Sequence, residues 1–101
     1  MTTAFRFTAS LWLWKDDSSW WFVTVPEEIS DEIEDLHGAA AGGFGSVKVE
    51  VTVGATTWRT SLFPSAEQGA YVLPMKKAVR AAESLEEGRP FEVSLVCISP
   101  R

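Results

Sequence analysis

Residues 58–93 read WRTSLFPSAEQGAYVLPMKKAVRAAESLEEGRPFEV, and their local signals follow one another without a gap. A strand pattern leads through a turn to a second strand, a proline, a short basic helix, a glycine and a third strand. The helix is predicted near residues 75–84, where apolar side chains recur at helical spacing. This order predicts a fold, but it names no reaction.

Period-two alternation predicts six strands along the chain. We place them at residues 5–13, 20–25, 47–53, 56–63, 70–73 and 91–98, the last one opened by Pro90. A first helix is predicted within residues 26–37, with Ser30 as its N-cap and Gly38 as its end.

The two halves of the chain show the same order of elements: two strands, a proline, a short helix, a glycine-containing loop and a third strand. Aligning Pro26 with Pro74 makes them two copies of a ββαβ unit. Two copies supply six strands, which we expect to close into a barrel around a pseudo-twofold axis. The predicted fold class is therefore mainly β, a closed six-stranded barrel with two short helices. At 101 residues we expect one domain, residues 1–101.

Composition excludes several classes of protein. The net charge of −5 argues against a general nucleic-acid binder, which needs a basic surface. No apolar run approaches the roughly 20 residues of a membrane span, and the first ten residues lack the features of a secretory signal. We therefore expect a soluble cytoplasmic protein. Cys97 is the only cysteine, so neither an internal disulfide nor a thiolate metal site is predicted.

Two segments carry a family resemblance. WWFVTVPEEISDEI, at residues 20–33, and GSVKVEVTVGATTWRTSLFPSAEQGAYVLPMKKAVRAAESLEEGRPFEVSL, at residues 45–95, resemble the bacterial and archaeal domain-of-unknown-function family numbered 1905. The resemblance implies a closed six-stranded barrel and brings no established activity. The family usually has Gly-Asp before its last strand, where this chain has Gly88-Arg89-Pro90, so no role is carried over for that aspartate.

A more distant similarity concerns residues 73–88, LPMKKAVRAAESLEEG. This segment is similar to the strand-Pro-helix-Gly element of AbrB-type transcription regulators, which build a barrel from two chains. A chain that contains both copies would be the pseudo-dimeric equivalent.

An aromatic cluster is predicted on the first hairpin. Pairing Trp14 with Trp20 places Trp12 opposite Phe22, so these four side chains share the face turned away from the core. The cluster could stabilise the hairpin beneath a helix of the same chain, with cross-strand pairs contributing roughly 0.2–1 kcal/mol each. Left uncovered, it would mark a homodimer interface, a protein-partner site or a ligand pocket.

Charge is unevenly distributed. Eight acidic residues and no base lie between residues 16 and 35, whereas four bases face only Glu67 between residues 59 and 80. If the fourth strand meets the second helix, five side chains could clamp a carboxylate or phosphate: Arg59, Ser61, Lys76, Lys77 and Arg80. In the alternative interpretation these bases only offset the acidic helix and keep the surface soluble.

Enzyme signatures are poor, because His37 is the only histidine and the acidic residues form no recognisable catalytic pair. No catalytic residue, metal or cofactor is predicted. The sequence favours a non-enzymatic binding or interaction module for a small anionic ligand or a protein partner. Two alternatives stay open: a nucleic-acid-binding regulator of AbrB-like ancestry, and an enzyme acting on a small anionic substrate.

Overall fold

The structure is a computed structural model that describes residues 4–15, 19–37 and 45–98. Within these ranges the chain forms seven strands and two helices, which confirms the mainly β class. In chain order they are β1 (Ala4–Ala9), β2 (Trp12–Leu13), β3 (Trp21–Thr24), α1 (Glu27–His37), β4 (Val47–Val53), β5 (Thr56–Ser65), β6 (Ala70–Pro74), α2 (Lys77–Ala82) and β7 (Phe91–Cys97). Neither helix is long and apolar enough to cross a membrane.

The seven strands form one antiparallel sheet in the order β1-β7-β4-β5-β6-β3-β2. The prediction of a closed six-stranded barrel is wrong, because the sheet is an open half-barrel. The first predicted strand breaks at Ser10 and Leu11, where Leu11 forms an isolated bridge with Glu87. Its first half pairs with β7 and its second half with β3, so the two halves lie at opposite edges of the sheet.

The core lies on the concave face of the half-barrel. The four valines of β4 alternate with polar residues and are all buried, as period-two alternation requires. On β7 the alternation continues through Val93 and Leu95 to Cys97, which is 7% exposed. Burial raises the pKa of the Cys97 thiol to about 11, because a thiolate is poorly solvated there. Cys97 is therefore an inert part of the core, as its place in the alternation predicted.

Ser30 does not cap α1. The helix begins at Glu27, and Ser30 lies inside it with only 4% of its surface exposed. Its hydroxyl donates to the Val25 carbonyl oxygen at 3.1 Å and accepts the Tyr71 backbone N–H at 3.0 Å. Ser30 thus joins α1 to β6, a role that its position in the sequence did not indicate. Gly38, the predicted end of the helix, lies outside the described residues.

The far end of α2 is tied to the turn between β4 and β5. Glu83, which follows the helix, accepts hydrogen bonds from the Thr56 hydroxyl at 2.6 Å and the Ala55 N–H at 3.3 Å. A side chain on Gly54 would collide with the Glu83 carboxylate, and Gly54 also has a φ of +58°. The left-handed φ therefore favours glycine where the turn passes under this carboxylate.

The two prolines on which the halves were aligned do not occupy equivalent positions. Pro26 follows β3, whereas Pro74 is the last residue of β6 and pairs with Phe22. Instead, the backbone hydrogen bonds at the ends of β3 and β6 match when each residue of the first half is aligned with the residue 50 positions later. The Val25 N–H donates to the Tyr71 carbonyl at 2.9 Å, and the Met75 N–H donates to the Trp21 carbonyl at 2.8 Å. The alignment was therefore wrong by two residues.

Candidate functional site

A pocket of about 410 Å³ opens where β5, the start of β3 and the start of α2 meet. Four of its described lining residues are basic, and none is acidic: Arg59, Lys76, Lys77 and Arg80. These are four of the five residues from which the sequence predicted an anion site. Strand and helix do come together here, since β6 pairs with both β5 and β3 and delivers the chain to α2 beside them.

Arg80 is held in place by two contacts. Its Nε donates to the Met75 carbonyl oxygen at 3.0 Å, and its guanidinium carbon lies 5.7 Å from the centre of the Trp21 ring. A cation over an aromatic face is attracted by the ring quadrupole, so this contact helps to hold the guanidinium beside Trp21, which lines the pocket. Both terminal amino groups remain without a hydrogen-bond partner within the described part of the chain.

The other three bases differ in what they contact. Arg59 forms an exposed ion pair with Glu50, whose Oε2 lies 3.4 Å from the Arg59 Nε. Lys76 and Lys77 are exposed, and neither side chain forms an ion pair with any described residue. Among the described residues, the two lysines are therefore the pocket bases whose side chains are most available to a ligand.

The pocket wall is largely apolar. Aromatic and aliphatic side chains line it beside the bases: Trp20, Trp21, Trp58, Pro74 and Met75. Trp58 is only 9% exposed, and its indole N–H donates to no described residue. Because no fully buried polar side-chain atom in the described residues lacks a partner, this N–H retains some exposure, and Trp58 is one of the residues that line the pocket.

Ser61 is not among the pocket-lining residues. It lies opposite Lys48 of β4, two positions along the strand from Arg59. Sequence reasoning did not single out Trp21 or Trp58 as site residues. No local signal could have found them, because neighbouring strand residues such as Trp58 and Arg59 point to opposite faces of β5.

The aromatic cluster has the predicted register, since Trp12 pairs with Phe22 and the Trp14 N–H donates to the Trp20 carbonyl at 3.0 Å. Ring centres lie 5.4 Å apart for Trp12 and Phe22 and 6.5 Å apart for Trp20 and Phe22. Trp14 is 49% exposed and Trp20 is 59% exposed, so the interpretation in which a helix covers the cluster is wrong for these two. Trp20 also lines the basic pocket.

A second pocket, of about 320 Å³, lies beside α1 and is acidic. Asp31 and Glu34 line it together with Ser30 and Tyr71. Burial raises the pKa of Tyr71, and the nearby carboxylate of Glu34 adds to the effect because it opposes a phenolate. Within the described residues, no group of three or more histidine, cysteine or acidic side chains is arranged to hold a metal ion.

Comparison with known families places the chain. The sequence model of the family described as Domain of unknown function (DUF1905) matches residues 7–95. The chain belongs to the DUF1905 family. All described residues that line the basic pocket fall inside the DUF1905 match. No curated protein shows significant similarity to the chain.

Proposed function

We propose that this DUF1905 domain is a non-enzymatic binding module that holds a small anion in the pocket at the start of α2. One observation carries the proposal: four basic residues line a single concavity whose described lining contains no acidic residue. In a chain with a net charge of −5, such a concentration of positive charge runs against the average surface. A cleft lined by one sign of charge raises the local concentration of the opposite ion.

The four bases would contribute differently. Lys76 and Lys77 are exposed, so they would attract the anion at a distance, and salt would screen that attraction over about 8 Å at physiological ionic strength. Arg80 is half-buried and oriented, so it would supply the directional contact. Arg59 is shared with Glu50 and would contribute least.

Pocket size supports a small molecule as the ligand. A volume of about 410 Å³ lies near the lower end of the roughly 300–1,000 Å³ found for small-molecule sites. The exposed acidic residues of α1 argue against an extended polyanion, because they would repel it: Glu27, Glu28, Asp31 and Glu32. The regulator and enzyme alternatives stay predictions, which steeply salt-dependent DNA binding and turnover of an anionic substrate, respectively, would support.

An NMR titration at constant ionic strength tests the proposal. Backbone amide shifts are followed while sodium benzoate or sodium phosphate is added to the wild-type chain and to K76Q/K77Q. We expect the double variant to bind the better anion at least about threefold more weakly, since two attractive charges are gone. K15Q/K48Q removes the same charge outside the pocket lining and is the matched control. Equal losses in both variants, or no saturable shift with either anion in the wild-type chain, would contradict the proposal.

The exposed half of the aromatic cluster supports a separate proposal for a protein contact. Trp14 and Trp20 present apolar surface to solvent, as the predicted homodimer interface requires. Light scattering would show a lower mass for W14S/W20S than for the wild-type chain if they join two copies. A wild-type chain that is already monomeric at high concentration would remove this proposal.

A further inference from the structure

We infer that the bound anion is the head group of a flat ring compound, a ring carboxylate or a ring phosphate ester. This inference rests on the proposed function and names the class of ligand. The ring would lie against the tryptophans of the basic pocket, while Arg80 would hold the head group.

The apolar part of the pocket wall requires an apolar part of the ligand. Trp20, Trp21, Trp58 and Met75 line the same concavity as the bases, so a bare inorganic ion would leave most of this wall unused. Aromatic side chains stack with flat rings and gain from the burial of apolar area. A ligand with a ring and a charged end matches both halves of the lining.

Arg80 is preorganised for a two-oxygen head group. Its Nε donates to the Met75 carbonyl, and the guanidinium contacts the Trp21 ring, so less of its freedom has to be lost when a ligand arrives. The two terminal amino groups then present parallel N–H donors, the arrangement that carboxylate and phosphate oxygens accept in a bidentate manner.

Trp58 supplies a further donor from the apolar side. Its N–H has no partner in the described residues, although the side chain is nine-tenths buried in the pocket wall. A ligand oxygen that reaches it would satisfy this donor inside a largely apolar environment, where a hydrogen bond is stronger than in water. The Arg80 guanidinium would donate to the head group, and the Trp58 N–H would donate to an oxygen of the head group or of a ring substituent.

Five probes of matched structure test the class of ligand: benzoate, phenyl phosphate, benzamide, acetate and inorganic phosphate. The Trp58 indole N–H signal, assigned with W58F, is followed by NMR as each probe is added. We expect benzoate, phenyl phosphate or both to bind at least about tenfold more tightly than acetate, inorganic phosphate and benzamide. The tighter of the two ring acids identifies the head group.

Arg80→Lys tests the role of the planar fork. Lysine keeps the charge but lacks the second donor arm and the Met75 contact, so we expect the tighter ring acid to bind at least about fivefold more weakly. R89K changes an exposed arginine that forms an ion pair with Glu86 and lies outside the pocket lining, so it serves as the control. Thermal unfolding of both variants shows whether a loss comes from the fold.

The outcomes separate the two proposals. Binding of acetate or inorganic phosphate as tight as that of the ring acids would overturn the inference and leave anion binding standing. Benzamide equal to benzoate, or unchanged binding by a folded R80K variant, would also overturn it. No saturable binding of any of the four anions would remove the proposed function as well.

Discussion

The starts of the two helices share a backbone arrangement and differ in what the side chains do with it. At each helix start, one residue donates a backbone N–H hydrogen bond that joins the ends of β3 and β6. The carbonyl oxygen of that same residue accepts a hydrogen bond from the side chain five positions later in the chain. At α1 the side chain is Ser30, which donates to Val25, and at α2 it is Arg80, which donates to Met75. The backbone hydrogen bonds from Ser30 and Arg80 to the carbonyls of Pro26 and Lys76 also correspond.

The difference shows that one backbone geometry can have its side-chain hydrogen bonds completed inside the protein, as at α1, or leave donors available to a ligand, as at α2. Serine is short, so both of its hydrogen bonds stay inside the protein and bind α1 to β6. Arginine satisfies the equivalent carbonyl through Nε and still carries two donor groups into a pocket. The α1 start therefore contributes stability, and the α2 start provides the candidate binding site.

The largest effect is expected from Ser30→Ala. The change leaves the Tyr71 N–H and the Val25 carbonyl without their partner in a buried place. Each unsatisfied group costs about 1–3 kcal/mol, so the free energy of unfolding should fall by roughly 2–4 kcal/mol in urea denaturation. S61A is the control and should change it by less than about 0.5 kcal/mol, because Ser61 makes no side-chain hydrogen bond with the described residues. A stable S30A variant would break the distinction between the two helix starts.

Exchanging the α2 residue for the α1 residue is expected to separate stability from binding. A serine at position 80 can reach the Met75 carbonyl as Ser30 reaches that of Val25, so Arg80→Ser should lose less than about 1.5 kcal/mol of unfolding free energy. It also removes the guanidinium, so benzoate and phenyl phosphate should bind at least about tenfold more weakly. Calorimetry of the same samples gives both values. An R80S variant with wild-type affinity for the ring acids would show that binding in the basic pocket does not depend on Arg80.

The smallest effect is the pH dependence of the free energy of unfolding, which comes from buried groups outside the basic pocket. Burial raises the pKa of both Tyr71 and Cys97, so the folded state holds these protons more tightly than the unfolded chain does. Stability from Cys97 is fully present below pH 9.0, the ordinary value, and is lost as pH rises toward about 11. At pH 9 the loss should be about 0.4 kcal/mol relative to pH 7.

Denaturation of wild-type and C97A chains at both pH values isolates this term. The fall attributable to Cys97 should be absent in C97A, whose overall stability is lower because a buried atom is missing. A fall in C97A as steep as that in the wild-type chain, or steeper, would contradict the assignment to this thiol.

Much of the fold could be predicted from the sequence, because alternation reports which face a residue occupies. It does not report which strand lies beside it. Phe5, Phe7, Ala9, Leu11 and Leu13 alternate without interruption, yet the strand changes partners at Ser10 and Leu11. The closed barrel was predicted from six strands in two ββαβ copies, and this strand counted as one of the six, since a change of partner is a tertiary event that does not alter the alternation.

The candidate site was predicted in part for similar reasons. The bases were found because they are clustered in sequence and α2 follows β6 directly. Trp21 and Trp58 were not predicted as site residues, since alternation reports the face of a strand and not which elements pack around it. Ser30 was taken for a cap because its partner Tyr71 lies 41 residues away and nothing local signals that contact.

A crystal structure of the chain with phenyl phosphate or benzoate tests the central claim most directly. We expect the head group within hydrogen-bond distance of the terminal nitrogens of Arg80 and the ring against Trp21 or Trp58. A head group bound elsewhere, or a ring on the exposed face of Trp14 with the basic pocket empty, would contradict it.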